Sequence, residues 1–143
     1  MTQYADNGHK FVAVLNGKIE LPRLVNALGH ISAGLTAQHG DEAEMRFLQY
    51  EDSDGGLHPG ISHYPFIVLA ARNGNQIRTL RQAAIDAGIT CCDFVDTMLG
   101  ESAEDQLRST RQTREEDLTY IGISLFGPAG RLDPLTRKFS LFK

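Results

Sequence analysis

Tryptophan is absent, and only two cysteines occur, Cys91 and Cys92, side by side. Neighbouring residues on a strand point to opposite faces. A disulfide between these two would be strained, and the chain offers no other partner. Disulfide-stapled secreted scaffolds are thereby excluded, and reduced thiols in the cytoplasm are expected. Positive charge is in deficit as well. Fourteen Lys and Arg against 18 Asp and Glu leave a net charge of −4, without the basic excess that would point to nucleic acid. No apolar run approaches the ~20 residues that cross a bilayer, and the polar first eight residues lack the layout of a signal peptide. No phosphate loop, nucleophile elbow or dinucleotide fingerprint is present. Neither nucleic acid nor membrane is expected as a partner, and no internal repeat is visible.

What remains is an ordinary globular composition, 41% hydrophobic and 22% charged over 143 residues. That length suits one domain, residues 1–143, with a core of its own. Residues 10–15, Lys-Phe-Val-Ala-Val-Leu, read as a buried strand closed by Asn16-Gly17. A long helix follows, with Pro22 in its first turn and an apolar stripe of Leu21, Leu24, Val25, Leu28, Ile31 and Leu35 at helical spacing, up to Gly40. Residues 45–50 are a candidate strand, and residues 52–60 a loop by composition. Residues 65–71, Pro-Phe-Ile-Val-Leu-Ala-Ala, are apolar throughout, which predicts a central strand covered on both faces. Residues 76–87 form a second helix, capped near Asn73 or Asn75 and stopped at Gly88. Strands at 89–95 and 120–126, a short helix at 131–138 and an edge strand at 139–142 complete the reading. Alternating strands and helices predict an α/β fold: a three-layer α/β/α sandwich on a mixed, mostly four-stranded central sheet. Nine of the 18 residues from 100 to 117 are charged, so this segment is a charged excursion from the domain, solvated or acting as a lid or subunit contact.

Candidate functional residues are few. Between Leu24 and Gly40 the first helix has no Asp, Glu, Lys or Arg. Its side away from the leucines holds the small residues Ala27, Gly34 and Ala37, which predicts cover on both sides. Arg23, Asn26 and His30 fall within about 60° around the axis at 100° per residue. They form either a polar cleft wall or a hydrogen-bonded packing set. Asp93 and Asp96 flank the end of a strand, where α/β ligand sites usually open. Asp96, followed by Thr97, is a general base or a cap. His58 and His63 near Asp52 and Asp54 invite a metal, yet their spacing matches no zinc or calcium pattern, so no metal or cofactor is expected. Cys91 and Cys92 lack the basic neighbours that activate a thiol.

The segments Phe-Val-Ala-Val-Leu-Asn (11–16), Leu-Pro-Arg-Leu-Val-Asn-Ala-Leu-Gly-His (21–30), Ile-Ser-His-Tyr-Pro-Phe (61–66) and Leu-Thr-Arg-Lys-Phe-Ser-Leu (135–141) resemble signatures of an uncharacterised bacterial family with the fold of type II peptidyl-tRNA hydrolases. The resemblance covers nearly the whole chain. It implies that the helix-1 lysine of the hydrolases falls on Arg23, which keeps a cation but not its proton chemistry. Their helix-1 glutamine falls on Ala27, their histidine on His30, and their Asp-Ala-Gly-x-Thr motif on residues 96–100, of which only Asp96 is kept.

Two functions of different class follow. The first is a non-catalytic small-ligand-binding or oligomerisation domain, with Asn16, Asn26, His30 and Thr97 as ligand contacts. The alternative is a hydrolase or transferase acting on a small ester or amide, with Asp96 as general base and Arg23 holding an anionic group. Peptidyl-tRNA hydrolysis itself is not expected of so acidic a chain. The charge-free side of the first helix predicts a homodimer.

Overall fold

The protein is described by a computed structural model over residues 8–143. Strand β1 (His9–Asn16) lies at the centre of a five-stranded sheet of order β5-β6-β1-β4-β7, the last being the short strand Ser140–Leu141. It runs parallel to β4 (Phe66–Ala71) and antiparallel to β6 (Tyr120–Pro128), which pairs antiparallel with the edge strand β5 (Thr90–Val95). The strict alternation of β1 assigns its side chains. Val12 and Val14 point to one face with Ile123, Leu125 and Leu69, and Leu15 to the other with Ile31 and Phe94. Both faces are apolar because both are covered.

Helix α1 (Leu21–His39) packs on one face, mainly over β5 and β6, while α2 (Gly74–Asp86) and α4 (Ala129–Thr136) cover the other. α2 starts on Asn73, whose side chain accepts a hydrogen bond from the Gln76 N–H at 3.1 Å, while Gln76 Oε1 accepts from the Arg72 N–H at 2.8 Å. This reciprocal arrangement satisfies donors that a helix start otherwise leaves open. α3 (Ala103–Gln112) belongs to the charged segment and contains no buried residue.

Four expectations need correction. The sheet has five strands rather than four, the fifth being the short β7 (Ser140–Leu141), which pairs at the edge with β4. The apolar strand β4 is therefore one in from the edge, and the central place belongs to β1. Phe66 is 44% exposed, because α1 sits over β5 and β6 and no helix covers β4 on that face. The strand expected at 45–50 is a 3-10 turn, Glu42–Met45, followed by a single bridge between Phe47 and Ser62. The minor hairpin of β2 (Tyr50–Glu51) and β3 (Leu57–His58) comes after it.

The fourth correction concerns α1. Its buried line is Leu24, Ala27, Ile31 and Leu35, while Leu21 and Val25 stand 58% and 59% exposed. Ala27 and Gly34 face inward rather than away from the sheet, and a Cβ on Gly34 would lie 2.6 Å from the Cys92 sulfur of β5. Small residues do permit close approach, as expected, but to the chain's own sheet. The outer side, with Asn26, His30 and Ala37, is exposed.

Candidate functional site

α1 runs antiparallel to β5, since the His30 ring lies 5.9 Å from that of Phe94 and His39 Nδ1 lies 2.9 Å from Thr90 Oγ1. Arg23 and Asn26, in the first turns of α1, therefore occupy the end of the domain at which Asp96 follows β5. Arg23, Asp96 and Thr97 each have a local partner instead. Arg23 is exposed, with Nε 3.0 Å from Glu20 Oε1. Asp96 is also exposed, and its Oδ1 accepts from the Thr119 N–H at 3.1 Å, closing a backbone bond from its own N–H to the Thr119 carbonyl. The Thr97 hydroxyl lies 2.7 Å from that of Thr110 on α3.

Asn16 is buried and bonded at both ends of its amide. Its Nδ2 donates to the Tyr120 carbonyl at 2.9 Å, and its Oδ1 accepts from the Lys18 N–H at 2.9 Å. It ties the end of β1 to the start of β6. Asn26 is exposed. His30 lines a shallow cleft of about 300 Å³ with Cys92, Asp93, Met98 and Gln106. Asp96 and Thr97 line a separate, open one with Glu101, Asp105 and Arg108. Among the described residues, no hydrogen bond or ion pair joins any two of Arg23, Asn26, His30 and Asp96.

Other polar candidates also have local partners. Asp52 holds the β2–β3 hairpin. Its carboxylate accepts from the Asp54 and Gly56 N–H groups and lies 2.8 Å from His58 Nε2, and these bonds, His58 first, hold its pKa below the usual carboxylate value. Among the described residues no cluster of three His, Cys, Asp or Glu side chains is placed as metal ligands. Burial, and then the charge of Asp93, push both the Cys91 and Cys92 thiols upward, the reverse of what a nucleophile needs. Composition alone did not flag a network of Arg78, Glu115 and Tyr120. Glu115 Oε2 accepts from the Tyr120 hydroxyl at 2.8 Å and from Arg78 Nε at 2.9 Å, while Arg78 also donates to the Leu118 carbonyl at 2.6 Å. It fastens the far end of the charged segment to α2.

A mostly apolar pocket lies at the opposite end, where the parallel strands β1 and β4 begin. Phe11 and Phe66 are register partners there, and their rings stack at 5.4 Å and 12° to form a floor. One wall is Ser32 and Thr36, a turn apart on α1. The other is the segment 47–64, contributing Phe47, Ile61, Ser62 and Tyr64, and together they enclose about 420 Å³. That wall is secured by main-chain bonds, Leu48 N–H to the Ile61 carbonyl at 3.0 Å and His63 N–H to the Arg46 carbonyl at 3.1 Å. The two arms are pressed so close that a Cβ on Gly60 would fall 1.4 Å from the Leu48 carbonyl oxygen.

Within the pocket, the Thr36 hydroxyl is spent on the Ser32 carbonyl and the Ser62 hydroxyl on the Met45 carbonyl. The hydroxyls of Ser32 and Tyr64 have no hydrogen-bond partner among the described residues. Among the described residues, no charged side chain lines the space. The sequence pattern does not reveal this site because Phe47 and Phe66 read as strand residues and Ile61 and Tyr64 follow the loop at 52–60 in a stretch with no assigned element. The available signal was four large apolar or aromatic residues in and beside a stretch otherwise rich in Gly, Asp and Ser.

The fold thus defines a mixed α/β protein with helices on both faces of a five-stranded sheet and an uncharged pocket at one end. Over residues 9–143 the chain matches, and belongs to, the family described as protein of unknown function DUF2000. A similar solved structure is that of the protein of unknown function Atu0240 from Agrobacterium tumefaciens strain C58. Its TM-score is 0.80 at 18% identity, covering 95% of this chain and 98% of that one. At that identity the likeness concerns the fold. No curated protein matches.

Proposed function

We propose that this chain is a non-catalytic domain that binds a small ligand in the pocket between α1 and the segment 47–64. The single observation that carries the reading is that pocket: about 420 Å³, aromatic-floored and without charge among the described residues. Ligand sites typically occupy clefts of roughly 300–1,000 Å³ with mostly apolar walls and a few polar groups. The groups needed for hydrolysis or group transfer lack such a setting. Asp96 is engaged by Thr119, Arg23 by Glu20, and His30 opens onto another cleft. A base and an oxyanion donor must share one space around the substrate, so the hydrolase alternative is the weaker one.

The test is a thermal-stability screen of the protein against neutral metabolites, repeated with Ser32→Trp, which places an indole in the pocket mouth. A ligand present at 100 times its Kd stabilises the folded state by about 2.7 kcal/mol. The expected outcome is a compound that raises the melting temperature of the native chain but not of the variant. Equal shifts in both, or no shift with any compound, would sink the reading.

We also read residues 1–143 as one domain with the fold of the type II peptidyl-tRNA hydrolases, of which 100–117 is a charged excursion. The order of elements and the placement of helices on both faces support this. Free Cys91 and Cys92 support a reducing, cytoplasmic setting. Pairing of two copies through α1 is a second reading, favoured by Leu21 and Val25, exposed on a helix without charge from Leu24 to Gly40.

A further inference from the structure

We propose that the ligand of the pocket is a neutral, planar aromatic molecule bearing a hydroxyl or carbonyl substituent. This inference rests on the pocket being a ligand site and goes on to the chemical class it takes. Charge decides the first part. The lining residues are Phe, Ile, Ser, Thr and Tyr, with no cation or anion among them. An ionised group entering such a space loses its water and finds no opposite charge, so a carboxylate, phosphate or ammonium ligand is disfavoured.

Planarity follows from the floor. One face of the Phe66 ring is taken by Phe11, stacked at 12°, yet Phe66 remains 44% exposed. Phe66 and Phe47 both line the pocket. A flat ring placed there extends the stack, an arrangement that aromatic pairs favour beyond the area they bury. An aliphatic chain gains the burial alone.

The polar substituent follows from Tyr64. Its side chain is only 5% exposed, packed by ring contacts to His9, His63 and Phe126. Tyr64 lines the pocket, and its hydroxyl, like that of Ser32 across the pocket, has no hydrogen-bond partner among the described residues and is not sealed from solvent. Hydroxyls open to solvent pair with water, and a ligand that displaces that water must replace the bond or leave the group unpaired. A ligand oxygen that accepts from Tyr64 or Ser32 supplies the partner, whereas a purely hydrocarbon ring leaves both hydroxyls desolvated and unpaired. Sites built on such groups reject analogues lacking the matching atom.

The experiment uses the full chain and four probes, 2-naphthol, naphthalene, 2-naphthoate and 1-octanol, followed by amide chemical-shift changes at Ser32, Thr36, Phe47 and Phe66. The expected order is 2-naphthol tightest, naphthalene roughly five- to tenfold weaker, as one hydrogen bond implies, and the other two weaker still. Tyr64→Phe, which keeps the ring and its packing, lowers 2-naphthol affinity to that of naphthalene and leaves naphthalene unchanged. Ser32→Ala, at a half-buried helix position, provides the second check and weakens 2-naphthol alone. If 1-octanol or 2-naphthoate binds at these residues as tightly as 2-naphthol, or if both hydroxyl deletions leave 2-naphthol unaffected, the aromatic class is wrong while the pocket stands. If no probe shifts these amides, the ligand class and the pocket reading fall together.

Discussion

Tyr120 shows how one side chain can serve a fold rather than a reaction. Its ring is buried under Arg78, whose guanidinium carbon lies 5.0 Å from the ring centroid, and its hydroxyl donates to Glu115. Burial first, and then the hydrogen bond to Glu115, push its pKa up to about 12 from an ordinary 10.0. The folded state therefore holds this proton more tightly than the unfolded chain does. The stability it contributes is complete below pH 10 and is lost as the pH climbs from about 10 to about 12. Absorbance titration of phenolate should find one tyrosine ionising near 12, with denaturant midpoints falling over the same range. A Tyr120→Phe variant should lose that late titration, and persistence of the late step would refute the assignment. Asn16 has a comparable role. A buried amide using both its ends on backbone groups is a fastening, so the sequence position that suggested a ligand contact is explained by the join it makes between β1 and β6.

At the scale of elements, the spacing of α1 from β5 is set by Gly34. The Cys92 sulfur occupies the space that a side chain there would need, at 2.6 Å from the Cβ position. Helix propensity alone would make Gly34→Ala stabilising by roughly 1 kcal/mol. Overpacking against a strand residue costs about 1–3 kcal/mol, and it outweighs propensity where the partner is a short side chain on a paired strand. Urea denaturation should therefore show Gly34→Ala to be destabilising, and Cys92→Ala should recover the loss in the double variant, a coupling that independent sites would not show. A stabilised Gly34→Ala single variant would mean that α1 lifts off the sheet at little cost. The same close packing leaves His30 and Asn26 on the outside of the helix. Their shared arc was legible from 100° per residue, but the direction in which it points was not.

For the whole molecule, one helix on the α1 face and two on the other leave the sheet unevenly covered. The uncovered part, over β4, is where the pocket forms. The outer side of α1 carries Leu21, Val25, Asn26, His30 and Ala37, all exposed, whereas the exposed sides of α2 and α3 carry arginines and acids. Beyond the Arg23–Glu20 pair at its start this side of the helix carries no charge, so a second copy can meet it with little like-charge repulsion. Light scattering at micromolar concentration is expected to give twice the chain mass for the native protein. Val25→Glu, a change at an exposed position with little effect on folding, should shift it to the monomer. A native protein that is monomeric at that concentration removes the pairing.

The sequence by itself determined the local elements, since these depend on neighbours in the chain. The apolar run of β1, the reciprocal cap on Asn73 and Gln76, and the left-handed Gly40 that ends α1 with φ 73° are each written within a few residues. The edge pairing of residues 140–141 was legible in the same way. Only the tertiary structure decided which strand is central, since β1 and β4 are both apolar and their order depends on β6 and β7 choosing different sides. It alone decided that Ala27 and Gly34 face inward, because a small residue fits a close contact and an exposed position equally well. The pocket belongs wholly to that level. Phe11, Ser32, Phe47, Tyr64 and Phe66 come from four segments, and no local pattern signals a space whose walls meet only after β1 and β4 have paired and the segment 47–64 has folded back along the helix.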